Sequence, residues 1–206
     1  MPSVEDALVL LHEWTQTESL RRHAYAVAAA MAHYARLAGA DEDLWRLTGL
    51  LHDMDYERHP TPAEHPFVGV RELERLEYPE EVRTAILGHA LYSRVPRETP
   101  MARTLFAVDE LAGFVTAVAL VRPNRLEGLG ARSVNKKLKD RAFAAAVSRD
   151  DIRLGAEELG MDLAEHIEHV IEALRTEAPA LGLAPAPPDP ASPGSDRFVL
   201  PTDPPY

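Results

Sequence analysis

From Val4 to about Thr176 apolar residues recur three and four positions apart, and no segment alternates apolar and polar residues in the two-residue rhythm of a half-buried strand. That rhythm confines the chain to an all-α fold, and capping residues mark where the helices begin and end. Ser3 is placed to cap a first helix with Val4, Leu8, Leu11 and Trp14 on one face. Thr17 opens a second, carrying Leu20, Ala24, Val27, Ala28 and Met31 and stopped at Gly39. Asp41 opens a third, with Leu44, Leu47 and Leu51 inward. Pro66 and Pro79 suit the first turns of two shorter helices over 66–77 and 79–91. Thr99-Pro100 starts a long helix through Leu120, ended by Arg122-Pro123, and helices over 133–140, 150–159 and 162–176 complete the set. There is no Asn-Gly or Asp-Gly hairpin pair and no internal repeat.

The character changes at Ala178, since nine of the 17 prolines fall in the last 29 residues. Proline removes a backbone donor and fixes φ, so this composition cannot continue the helical pattern. The expected organisation is a single compact helical bundle over 1–177 with a Pro-rich, extended tail over 178–206, in which Phe198-Val199-Leu200 is the one apolar run that could dock. The chain carries 22 Lys+Arg against 33 Asp+Glu, a formal charge of −11, which argues against a nucleic-acid partner because such affinity comes from neutralising phosphates. The absence of cysteine excludes disulfides and thiolate metal sites and favours a cytoplasmic address. The opening residues are acidic, unlike a secretory signal. The most apolar stretch, Leu105–Val121, is 17 residues long and carries Asp109 and Glu110, so no membrane association is expected either. No apolar stripe singles out an interface, which leaves monomer and symmetric dimer equally open.

Four polar residues lie where core residues belong. His23 sits three after Leu20 and four before Val27, on the apolar face of its helix. His52-Asp53 directly follows Leu50-Leu51, and Asp109 lies four after Leu105 on the inward side of the long apolar helix. A buried unpaired carboxylate is costly, so an inward Asp requires a cation. Singly, each has a structural explanation: a hydrogen-bonded core histidine, an ion-pair partner, a chance dipeptide. Together, two imidazoles and two carboxylates from three helices make a nitrogen and oxygen donor set suited to a divalent Mn, Fe, Ni, Co, Zn or Mg ion.

The order His23 … His52-Asp53 … Asp109 resembles the H…HD…D signature of the HD superfamily of metal-dependent phosphohydrolases. The likeness extends to Leu50-Leu51-His52-Asp53-Met54-Asp55-Tyr56-Glu57, to Glu64-His65-Pro66-Phe67-Val68-Gly69-Val70 and to Ile86-Leu87-Gly88-His89. The runs from Ala107 to Phe114 and from Ser133 to Asp140 are similar to a small bacterial branch of that superfamily. The resemblance implies that His23, His52, Asp53 and Asp109 ligate metal, with Asp53 bridging if two ions bind. It places His65 and His89 where other members hold a second metal or contact phosphate. His65 at a helix start could also face solvent, and His89 could be a core histidine beside Val82, Ala85 and Ile86. The chain departs from the common His-Asp-Ile-Gly-Lys form, with Asp55 where Gly often stands and Tyr56 where Lys often stands.

The expected activity is hydrolysis of a small phosphoester, a nucleotide above all, by metal-activated water. Asp53 is the expected catalytic ligand, and Asp55 or Glu57 the group that orients water or takes its proton. The same six donors would also suit a di-iron oxygenase, and a third possibility is a non-catalytic module that senses a nucleotide or docks a partner. Lys136, Lys137, Lys139 and Arg141 form the one dense basic run, read either as a phosphate-gathering rim or as an exposed helix face, and Arg122 invites the same two readings. His166 and His169, three apart, could share a metal, but the neighbouring Glu165 and Glu168 favour an exposed charged stripe, and His12, His33 and His59 show no metal-ligand spacing. Trp14 and Trp45 read as packing residues.

Overall fold

The computed structural model describes residues 2–185, and among these there are nine α-helices and no strand. They are α1 (Val4–Trp14), α2 (Glu18–Ala38), α3 (Glu42–Leu51), α4 (Phe67–Arg75), α5 (Glu80–His89), α6 (Pro100–Leu120), α7 (Ala131–Leu138), α8 (Arg149–Glu158) and α9 (Leu163–Thr176), with a 3-10 turn at Leu91–Ser93. No helix of the described residues is long and apolar enough to cross a membrane.

The capping chemistry explains most boundaries. Ser3 and Asp6 form a reciprocal capping box, and Asp41, Thr99, Ser148 and Asp162 each accept a first-turn N–H. Gly39 closes α2 in the left-handed conformation at φ 64°. Thr17 is the exception: it occupies the cap position of α2 without bonding the helix through its side chain. The cap is supplied from elsewhere, because the Glu57 carboxylate accepts the Gln16 and Thr17 N–H groups and the Thr17 hydroxyl, the last at 2.6 Å. Glu57, read from the sequence as a possible proton acceptor, is thus bound to the start of α2.

α2 and α6 form the centre. Eleven residues of α2 are buried, seven of them Ala, and the small side chains let α3 approach so closely that a Cβ on Gly49 would stand 2.7 Å from the Ala28 Cα. α8 meets α6 in the same way, with a Cβ on Gly155 only 2.5 Å from the Ala107 Cα. Behind them, the Tyr34 hydroxyl donates to His166 Nδ1 at 2.6 Å, and His166 Nε2–H donates to the Ala107 carbonyl at 3.0 Å. His166 is fully buried, so the exposed stripe expected at 165–169 is incorrect at that position. Glu165 and Glu168 point out while His166 packs between α2 and α6 on the same face as Ile167 and Val170.

The helix expected over 133–140 lies two residues earlier, capped at Gly130, and the chain from Asp140 to Val147 turns irregularly instead of continuing it. The Arg149 guanidinium holds that segment by donating to the carbonyls of Asp140, Phe143, Ala144 and Val147. Packing also runs past residue 177. Gly182, at φ 67°, turns the chain so that Leu181 and Leu183 enter the core, and the Leu183 carbonyl accepts from Leu126 N at 3.5 Å. The Pro-rich stretch over 186–206, with Phe198-Val199-Leu200, lies outside the described residues.

Candidate metal centre

Six donors converge at the mouth shared by α2, α3, α5 and α6. His23 faces inward from α2, and His52 and Asp53 stand where α3 ends. His65 comes just before α4, His89 is the last residue of α5, and Asp109 lies midway along α6. Short helices ending at the site are what allow donors from distant parts of the chain to meet.

Three imidazoles are fixed in one tautomer by the hydrogen bond at the nitrogen facing away from the centre. His52 Nδ1–H donates to the Gly49 carbonyl at 2.8 Å, and His89 Nδ1–H donates to the Ile86 carbonyl at 2.5 Å. A carbonyl only accepts, so in both rings Nδ1 carries a proton and Nε2 is the atom left to face the centre and to ligate once a cation displaces its proton. His65 uses its Nδ1 on Asp55 Oδ1 at 2.7 Å, a carboxylate–imidazole pair of the kind that orients metal-binding histidines. Asp55 is itself held by the Gly69 N–H at 2.6 Å, an approach a side chain at residue 69 would obstruct, since its Cβ would lie 3.0 Å from the Asp55 Cγ.

The three Nε2 atoms face the carboxylates. Asp53 Oδ1 lies 3.2 Å from His89 and 3.3 Å from His65, while its Oδ2 lies 3.4 Å from His52 and 3.9 Å from His23. Asp109 Oδ1 is 2.9 Å from His23 Nε2 and 3.4 Å from His52 Nε2. The donors divide into two triads, His23–His52–Asp109 and Asp53–His65–His89, each compact enough to surround one ion. His52 Nε2 is completely buried and makes no hydrogen bond, and an orphaned polar atom in such a place calls for a missing partner.

Electrostatics show what partner is missing. Burial disfavours a charged His52, but the Asp53 and Asp109 carboxylates outweigh it and hold the imidazole well above its ordinary value. Burial likewise pushes Asp53 and Asp109 up, and the imidazoles outweigh it and hold both carboxyls well below the usual range. Protons on imidazole here take the place of a cation among two buried carboxylates. A divalent ion satisfies the same carboxylates and frees the imidazoles to ligate, so the residues fit the metal.

A cavity of about 540 Å3 opens over the centre, with His23, Asp53, His65, His89 and Asp109 in its floor and Tyr56, Leu91, Tyr92, Glu110, Val147 and Asp151 among its walls. Burial and the neighbouring Asp109 charge push Glu110 up to about 7, and its carboxylate accepts the Ser148 N–H at 3.1 Å. Asp55 does not face this cavity. It is buried behind His65, where its carboxylate holds the ring from the side away from the six donors' centre. The residues picked out as substrate contacts also stand elsewhere. Arg122 donates to the carbonyls of Arg125 and Glu127 in the turn after α6, while Lys137 lies over the Phe143 ring and beside Asp140, and Lys136 is exposed on α7. Of that basic run, Lys139 and Arg141 border a separate cavity of about 460 Å3 that shares Val147 with the first. Tyr92, Leu91 and Asp151 escaped the sequence reading because nothing in their spacing distinguishes them from ordinary surface residues.

No curated protein and no solved structure matches the chain. Residues 20–113 match the family model described as HD domain, a span that holds all six donors. With its all-helical fold and its H…HD…D residues meeting at one centre, the chain carries an HD domain over residues 20–113.

Proposed function

We propose that the protein hydrolyses a small phosphoester, a nucleotide being the class favoured, at a centre of one or two divalent ions held by His23, His52, Asp53, His65, His89 and Asp109. The observation that carries this reading is the set of three buried imidazoles with Nδ1 locked and Nε2 turned towards Asp53 and Asp109. Each Asp53 oxygen faces a different pair of histidines, which supports a bridging role. Bound there, a divalent ion supplies Lewis acidity towards a phosphoryl oxygen and lowers the pKa of water towards neutrality.

The chain's own residues do the rest. His52, His65 and His89 need no reorientation, because each ring is already held from behind. Among the described residues no Lys or Arg lines the cavity, so the phosphoryl charge falls to the ions, and Glu110 and Asp151 offer acceptors to hydroxyl or amino groups of the ester. Tyr56 and Tyr92, both well exposed at the rim, offer faces on which a base can stack, which supports a nucleotide.

Metal content of the protein as purified, measured beside Asp53→Ala, tests this directly, followed by a phosphomonoester and phosphodiester panel with Mn, Co, Ni or Mg. Bound metal lost in the variant together with metal-dependent turnover supports the proposal. Sound folding with no turnover across the panel overturns it in favour of a nucleotide-sensing module. The four-imidazole, two-carboxylate set suits two irons as well, and iron near two per chain with oxygen consumption would replace hydrolysis by oxygen-dependent cleavage.

A further inference from the structure

A second cluster of metal-ligating side chains stands apart from the HD centre, between the far end of α2 and the outer face of α9. His33 Nε2 lies 3.1 Å from His169 Nδ1, and Glu172 brings a carboxylate oxygen within 4.8 Å of a ring nitrogen of each. His169 and Glu172 are three residues apart on α9 and share one face, so the helix itself presents the pair. His33 is separated from His23 by ten residues of α2, about 15 Å along the helix axis, so the cluster shares no ligand with the first centre.

From this geometry we propose that His33, His169 and Glu172 form a second, independent divalent-metal site suited to zinc, with an open position left for water. Two nitrogens bound to one tetrahedral zinc lie about 3.3 Å apart, close to the separation already present. Both rings are held by packing in this arrangement. His33 is only 8% exposed, with its ring edge-on to Tyr34, and His169 packs against Tyr34 as well. A neutral imidazole at this short separation keeps a nitrogen lone pair for an ion, and the two rings already stand at the spacing such an ion requires. Glu165, 3.9 Å from His169 Nε2, adds negative charge around the pair, while Arg36, the cation facing it from α2, is engaged by Glu42. The ion would tie α9 to α2. This site stands whether or not the HD centre turns over phosphoesters.

The test uses the full chain, stripped with chelator and titrated with zinc and separately with cobalt, in wild type, Asp53→Ala, His169→Ala and the double variant. Circular dichroism checks each fold. Asp53→Ala is expected to retain one equivalent of zinc at micromolar affinity or better and to show the visible cobalt band of a tetrahedral site. Adding His169→Ala should weaken that binding at least tenfold and remove the band. If Asp53→Ala does not fold, the same comparison runs between wild type and His169→Ala, which should differ by one equivalent. Retention of that equivalent when His169 is replaced, or binding at millimolar zinc only, overturns the proposal.

Discussion

His166 offers a quantitative test of how the helices are locked behind the metal centre. Buried between Tyr34 and the Ala107 carbonyl, it accepts from one and donates to the other, an arrangement only the neutral ring satisfies. Burial lowers its pKa from 6.5 to about 4. The folded-state value lies below the unfolded one, so the unfolded chain takes up the proton first. Stability is therefore full above about pH 7, falls as pH drops through 6.5 and levels off below about 4. The complete loss is about 3 kcal/mol, and about 2 kcal/mol of it is reached by pH 5. Urea unfolding of wild type and His166→Gln at pH 7.5 and pH 5 isolates this contribution, because the metal-centre groups titrate alike in both proteins and cancel in the difference. The variant should be the less stable protein at pH 7.5 and should gain about 2 kcal/mol on wild type by pH 5. A difference that stays constant between the two pH values would refute the neutral, buried assignment.

Other expected outcomes follow from the same geometry. Asp55→Ala frees the His65 ring, and metal affinity measured against a chelating dye should fall roughly 10- to 100-fold with the fold intact, while unchanged affinity would show that Asp55 does not orient the ligand. Gly49→Ala forces a Cβ into the Ala28 backbone and should cost about 1–3 kcal/mol in denaturant unfolding; no loss would mean that α2 and α3 separate freely. Glu57→Ala should lower the thermal midpoint by uncapping α2 while leaving metal content unchanged, and loss of the metal would return Glu57 to the site. Removing metal from the holoprotein with chelator should lower its thermal midpoint, and a midpoint insensitive to chelation would speak against a cation at the six donors.

The fold class and most helix boundaries were legible because they depend on local chemistry. Apolar spacing, Ser3, Asp41, Thr99 and Asp162 as caps and Gly39 as a stop each act within one turn of chain. The candidate ligands on helices were legible for a related reason, since a polar residue on an apolar stripe is costly unless something compensates it. What escaped depends on contacts distant in sequence. His166 stands in a run of charges, and only the approach of Tyr34 from 132 residues away shows it to be a core residue. His33 and His169 are 136 residues apart, so no spacing rule could pair them. Asp55 has the chemistry of a base, and its partner Gly69 shows that it serves the ring of His65 instead.

The meeting of Gly155, Ala107 and His166 also sets where this protein can be cut. Every donor of the HD centre lies within residues 20–113, so by motif the chain could end soon after α6. By packing it cannot. Phe114 rests edge-on against Phe143, the Ala107 carbonyl takes its proton donor from α9, and Leu126 is tied to Leu183. A fragment ending at residue 120 would carry all six ligands on a helix whose outer side had lost its neighbours, with the apolar face of α6 open to water. The smallest fragment that folds is therefore larger than the smallest fragment that contains the chemistry. Expression trials that trim the chain to the motif-bearing segment should yield aggregate, whereas trimming after Pro185 should leave the described structure whole.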